Sequence, residues 1–155
     1  MPRLLRIVII VVVGAALGLA WNQWSGRGFG LRANALVKPG DPEEIKPDEA
    51  RKRLDKGGTL FLDARPFPFY EMAHIPGSYC LPAEPEDKYD AAYAKLEARL
   101  KDALDIVVYC SGYGCEASHM VARKLKAQGM PAVVLAEGWP AWVDAGYPTK
   151  EGAEP

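Results

Sequence analysis

Three short apolar runs constrain this chain most: TLFLD (59–63), IVVYC (106–110) and AVVLA (132–136, after Pro131), none of which alternates strictly between apolar and polar residues. A strand that is apolar on both faces needs cover on both sides, the condition of a buried parallel sheet. The cover lies between the runs. Tyr93, Leu96, Leu100 and Leu104 recur at spacings of three and four, and Ala117, Val121 and Leu125 at four, so each stripe can lie as a helix on one sheet face. Pro47 can open a further short helix over PDEARKRLDK (47–56), with Ala50 and Leu54 on one face and Gly57-Gly58 as its stop. Strands alternating with helices predict an α/β fold, a small open sandwich around a mainly parallel sheet, with ligands gathering at the carboxyl ends of the strands. That rule points to Asp63, Cys110 and Ala136.

A chain of 155 residues suits one domain, and 49% apolar residues exclude disorder as its main state. Its net charge of −1 conceals an asymmetry: residues 1–40 hold five of the 19 Lys and Arg and no acid, while the remainder carries 14 basic and 20 acidic residues. The first part therefore suits a membrane or another charged surface. The acidic remainder would repel phosphates, so nucleic acid is not an expected partner. Three cysteines are an odd count and too few for a disulfide scaffold, and belong to chemistry or packing.

Residues 7–21, IVIIVVVGAALGLAW, carry no charge. As a helix at 1.5 Å per residue they reach roughly 22 Å, short of the ~30 Å hydrocarbon layer, whereas 4–24 reaches roughly 31 Å with Arg6 snorkelling and Trp21 and Trp24 at the far interface. The alternative is a cleaved signal peptide, since Gly18-Leu19-Ala20 imitates a small-x-small cleavage site. With Leu4 and Leu5 counted, the run outlasts a signal core of roughly 7–15 residues, so a transmembrane helix or signal-anchor over 4–24 is the expectation. Cations flank it on both sides, and the compact MPRLLR start decides for a cytoplasmic amino terminus. Residues 25–44, rich in Gly, Pro and charge, read as a linker, 45–149 as the domain and 150–155 as a tail.

IVVYC-SGYGC-EASHMVARKLKAQG puts Cys110 where a buried strand ends, before a glycine-containing turn and a helix. A loop wound this way can turn backbone N–H groups toward the sulfur, and the positive end of the helix adds to that field. Both favour a nucleophilic thiolate, and Gly112 and Gly114 permit the φ values of a tight cradle. A buried cysteine that only packs is the competing reading.

LFLDARPFPFYEMAHIPGS, then IVVYC-SGYGC, then AEGWPAW and AGYP together resemble the rhodanese family of sulfurtransferases, in the right order over about residues 45–149. The resemblance implies a small three-layer sandwich and a transferase in which Cys110 takes up a sulfane sulfur as a persulfide and passes it to a thiol or cyanide. The active-site loop would be Cys110, Ser111, Gly112, Tyr113, Gly114 and Cys115, followed by Glu116. Asp63 and Arg65 match an acid-x-Arg element, an orienting ion pair behind the site, and His74-Ile75-Pro76-Gly77 a structural turn. Trp139 and Trp142 match the carboxyl-terminal signature as core packing. Expected partners are a small sulfur-containing anion as donor, a thiol as acceptor and the membrane through 4–24. No metal or cofactor is expected, since His74 and His119 lack the partner spacing of a metal site. The expected location is a bacterial inner membrane with the domain on the periplasmic side.

The loop departs from the family pattern in one respect. Many members carry Arg or Lys near its end, which helps bind thiosulfate and, in related phosphatases, the phosphoryl dianion; here Cys115 and Glu116 stand there. Efficient use of thiosulfate is then not expected. Glu116 itself suits a helix start, where a carboxylate favours the dipole. Cys115, five positions from Cys110, is either a resolving thiol or a filler of the basic residue's place. Cys80 is expected as a buried strand residue, and the charged run 84–99 as a solvated face. Two readings compete with the enzyme: a binding module without turnover, and a thiol redox element built on Cys110 and Cys115.

Overall fold

The computed structural model describes residues 2–24, 40–112 and 114–155, and the chain divides into two compact units, Met1–Pro39 and Gly40–Pro155. In the first, α1 (Arg3–Trp24) is one helix of 22 residues. Its apolar side chains Ile10, Val11, Val12, Val13 and Leu17 are between 49% and 70% exposed. Among the described residues no helix is long and apolar enough to cross a membrane, and the span expected over 4–24 is not found. The side chains of 3, 4, 6–9, 19 and 21–24, which supply much of that expected run, lie outside the described set, as does the linker over 25–39.

The second unit runs β1 (Glu44–Ile45), α2 (Pro47–Lys56), β2 (Leu60–Asp63), α3 (Phe67–Met72), β3 (Tyr79–Cys80), α4 (Glu86–Asp102), β4 (Ile106–Tyr109), α5 (Ala117–Ala127), β5 (Ala132–Leu135) and α6 (Gly138–Asp144). Its five strands lie in the order β1-β5-β4-β2-β3, every neighbouring pair parallel. All four residues of β4 are fully buried, as a central strand without polar alternation must be. Their side chains divide the core in two. Ile106, Val108 and Cys110 pack with Leu96 and Leu100 of α4 and Val121 and Leu125 of α5. Val107 and Tyr109 pack on the other face with Ala50 of α2 and Trp142 of α6. The result is the expected mixed α/β sandwich with a central parallel sheet, and its strand ends deliver Asp63 and Cys110 to one edge.

Several local expectations need correction. Leu104 does not belong to the α4 stripe: the helix ends at Asp102, Ala103 turns extended (φ −70°, ψ 124°) to lead into β4, and Leu104 is left 90% exposed. Tyr89 takes its place, with Leu96 and Leu100, so the charged run 84–99 is only partly a solvated face. Residues 40–44, read as the end of the linker, belong to the domain. Glu44 and Ile45 pair with Val134 and Leu135, and Asp41 accepts a hydrogen bond from Arg123 at 2.8 Å. The tail is tied down as well. Lys150 exchanges two backbone hydrogen bonds with His74, at 2.8 and 2.9 Å, and the Gly152 amide donates to the Glu71 carbonyl at 2.8 Å.

Candidate active site

Cys110 follows the last residue of β4 and is 2% exposed. The chain then bends through Gly112 (φ 111°), whose amino-acid type is dictated by space: a Cβ there would meet the Glu137 carbonyl and the Pro140 ring at 3.1 Å. The Cys115 amide donates to the Gly112 carbonyl at 3.0 Å, closing the turn, and α5 begins two residues later. Tyr113 lies outside the described residues, Ser111 and Gly114 are exposed, and Glu116 stands at the cap of α5.

The sulfur sits at the centre of this curl. Its S–H donates to the Cys115 carbonyl at 3.3 Å, and the Ser118 hydroxyl donates to the sulfur, also at 3.3 Å. Burial pushes the Cys110 thiol up and a side-chain hydrogen bond with Cys115 pushes it further, against the Ser118 hydroxyl and the amides of Ser118 and Gly112, which pull it down. Cys80, Cys110 and Cys115 are all free.

Asp63 and Arg65 form the expected ion pair, almost wholly buried. The Arg65 guanidinium donates from Nη2 to Asp63 Oδ2 at 2.6 Å and from Nε to both carboxylate oxygens at 3.0 Å, and its Nη2 also reaches the Ala73 carbonyl at 2.6 Å. Burying two charges requires such saturation. The same guanidinium lies 4.6 Å from the centre of the Trp139 ring. Trp139 therefore does more than fill the core: its amide donates to the Cys110 carbonyl at 2.7 Å. Trp142 is the core residue, fully buried, with its indole N–H on the Pro148 carbonyl.

His74 is the structural donor expected of its turn. Its Nδ1 donates to the Tyr70 carbonyl at 2.9 Å and its ring stacks on Tyr70 at 3.9 Å. The neighbouring Ile75 amide donates to the Tyr109 hydroxyl at 3.1 Å, fastening the turn beneath β4. His119 pairs with Glu44 at 3.1 Å, on the outside of α5. Glu116 is exposed and stands 3.4 Å from Arg123.

A cavity of about 750 Å³ opens elsewhere, between α3, β3 and α4, with Cys80 in its wall and Cys110 absent from it. Burial pushes the Cys80 thiol up to about 12, with Asp63 adding to the effect, which makes it a poor nucleophile.

One residue of the site escaped the sequence reading. Ser118 is a small polar residue on the buried face of the first turn of α5, and that position was its only signal. Gly138 lies in the carboxyl-terminal signature, but its part in the site was not read from it: at φ 58°, a Cβ there would stand 2.3 Å from the Cys110 carbonyl oxygen, a contact made by a distant segment.

A buried cysteine at the end of a central parallel strand, wrapped by a short loop and backed by a carboxylate–arginine pair, defines a cysteine-centred α/β domain. Residues 46–145 match the Rhodanese-like domain family, and the chain belongs to it. It is 34% identical over 115 residues to the HTH-type transcriptional regulator Rv0324 of Mycobacterium tuberculosis, which covers 74% of this chain and 48% of that one. The chain thus spans about half the length of this curated relative. Among solved structures it is similar to the rhodanese-like domain of the Alr3790 protein from Anabaena sp, with 25% identity and a TM-score of 0.56 over 73% of this chain and 81% of that one. It is also similar to the thiosulfate sulfurtransferase from Pseudomonas aeruginosa, with 25% identity and a TM-score of 0.55 over 73% of this chain and 21% of that one.

Proposed function

We propose that the domain is a sulfurtransferase that carries a sulfane sulfur as a persulfide on Cys110. The observation that carries this reading is the sulfur's place within the curl, held between the Ser118 hydroxyl and the Cys115 carbonyl at 3.3 Å each. The thiolate of Cys110 attacks the outer sulfur of a donor, the donor's leaving group departs with the electron pair, and Cys110–S–SH remains. A thiol or cyanide then takes the outer sulfur and returns the thiolate. Amides and a hydroxyl directed at the sulfur stabilise the anionic sulfur at both steps. Because Glu116 stands where a cation would grip an anion, the preferred donor is a persulfide or polysulfide rather than thiosulfate. Asp63 and Arg65 support the loop from behind through Trp139.

The test is the intact mass of the reduced chain after exposure to a polysulfide. A gain of one sulfur atom that Cys110→Ser abolishes is expected. The absence of that gain overturns the reading and leaves a binding module, whose affinity for its ligand Cys110→Ser would preserve.

The reading extends to α1 as a membrane anchor, with the domain on the periplasmic side of a bacterial inner membrane. Support comes from the uncharged run 7–21 and from the exposed apolar side chains Ile10 to Val13 and Leu17 of α1. Fractionation with a carboxyl-terminal reporter tests it: recovery of the chain free of membranes, or reporter activity in the cytoplasm, sinks it.

A further inference from the structure

Cys115 is a second thiol inside the same curl, and the transfer through Cys110 makes no use of it. The backbone places it there: Gly112 (φ 111°) and Gly114 (φ 73°) turn the chain back on itself, and the Cys115 amide closes the turn on the Gly112 carbonyl. Its carbonyl oxygen stands 3.3 Å from Cys110 Sγ, and its side chain packs against the core cluster that contains Cys110. Cys115 is half-buried where Cys110 is buried, so a reductant from solution reaches Cys115 first.

We infer that Cys115 is an internal acceptor that discharges the Cys110 persulfide as sulfide and leaves a Cys110–Cys115 disulfide. This rests on the transferase reading and adds an activity to it, thiol-dependent release of sulfide. The Cys115 thiolate attacks Cys110 Sγ, the bond between Sγ and the outer sulfur breaks, and the outer sulfur departs as HS⁻, which takes up the proton that Cys115 gave away. The outer sulfur is reduced to sulfide by one electron and the Cys115 sulfur is oxidised by one, while Cys110 Sγ exchanges one sulfur–sulfur bond for another. The cycle closes when a dithiol reductant opens the disulfide by exchange, attacking Cys115. Proximity is the physical reason to expect this route: an attacking thiol within one short loop acts at an effective concentration that no dissolved thiol matches. Glu116, exposed beside Cys115, further disfavours anionic acceptors in solution.

The full chain is reduced, given one equivalent of glutathione persulfide under argon, and followed by sulfide release, intact mass and peptide mapping, with Cys110→Ser as the blank. The expected result is one sulfide released, a chain lighter by two hydrogens and a crosslinked Cys110–Cys115 peptide. In Cys115→Ser the sulfur stays on Cys110, and sulfide release falls by about tenfold or more. A wild-type chain that keeps its persulfide, or a disulfide that involves Cys80 instead, overturns the inference while the transferase reading stands. If neither wild type nor Cys115→Ser acquires sulfur or releases sulfide, the transferase reading fails and the internal acceptor with it. Mapping of the wild type alone decides the matter if Cys115→Ser does not fold.

Discussion

The amide of Trp139 donates a hydrogen bond of 2.7 Å to the carbonyl of Cys110, while the Trp139 ring covers the Arg65 guanidinium at 4.6 Å. One residue thus ties the start of α6 both to the loop that carries the sulfur and to the ion pair behind it. The contact depends on Gly138. Its φ of 58° and the 2.3 Å that separates a would-be Cβ from the Cys110 oxygen admit only hydrogen. Gly138→Ala should cost about 1–3 kcal/mol in backbone strain alone, more with the clash, and should displace the loop. The urea midpoint and the yield of persulfide on Cys110 are expected to fall together. A fall in stability with full sulfur loading would show that the loop holds its shape without α6.

Ser118 governs the charge of the sulfur. A donor favours the thiolate over the thiol, so its loss raises the pH at which Cys110 ionises, in the direction that burial already pushes it. A neutral hydrogen bond of ~1 kcal/mol corresponds to about half to one pH unit. The rate of iodoacetamide alkylation at Cys110 in wild type should still climb above about pH 8.5, the usual thiol value, and the profile of Ser118→Ala should lie higher again. Cys80, pushed up to about 12, should stay unmodified over the same range until the chain is unfolded. Coincident profiles for wild type and Ser118→Ala would remove Ser118 from the site.

On the proposed reading, the charge of Glu116 sets the choice of donor. Replacing it with Arg reverses the charge at the loop's end, while Arg123, 3.4 Å from Glu116, stays paired with Asp41 at 2.8 Å, so the change in charge favours an anion. A unit charge at about 4 Å is worth ~1 kcal/mol in water, so the thiosulfate KM should fall about three- to tenfold, with the gain shrinking as salt is added. Transfer from a neutral organic trisulfide should change little. Equal effects on both donors would mean that Glu116 acts through loop shape instead of charge.

Two ion pairs in one domain should differ widely in worth. Arg65→Met strands the buried carboxylate of Asp63 and is expected to cost about 3–5 kcal/mol. Arg51→Met, which breaks an exposed pair with Asp55 one helical turn away, should cost under about 0.5 kcal/mol. Urea denaturation of the two variants measures the contrast, and similar midpoints would mean that the Asp63–Arg65 pair is not a structural bond.

Periodicity read the long elements well and the short ones poorly. The helix 47–56 begins at Pro47 and ends against Gly57 as expected, because proline and glycine act locally. The two-residue strands β1 and β3 have too few positions for any pattern and exist only because β5 and β2 offer them a ladder. Similarly, α3, six residues with two phenylalanines and a proline, carries no repeat of its own. Of the site, Cys110, Asp63 and Arg65 were legible, since strand ends and an acid-x-Arg spacing are features of consecutive residues. The roles of Ser118 and Gly138 were not, since each shows only in the folded chain, where the Ser118 hydroxyl meets the Cys110 sulfur and Gly138 meets the Cys110 carbonyl.

The sequence by itself determined that a parallel sheet would be covered on both faces, that a cysteine would stand at the end of a buried strand, and that Cys115 and Glu116 would follow its glycine-containing turn. Each follows from residue type and spacing within one stretch of chain. Only the tertiary structure decided that the Cys110 sulfur is buried, that Cys115 shares its curl, and that Trp139 joins the loop to Arg65. Those outcomes depend on desolvation and on contacts between distant segments, which arise when the sheet closes and water leaves the strand ends.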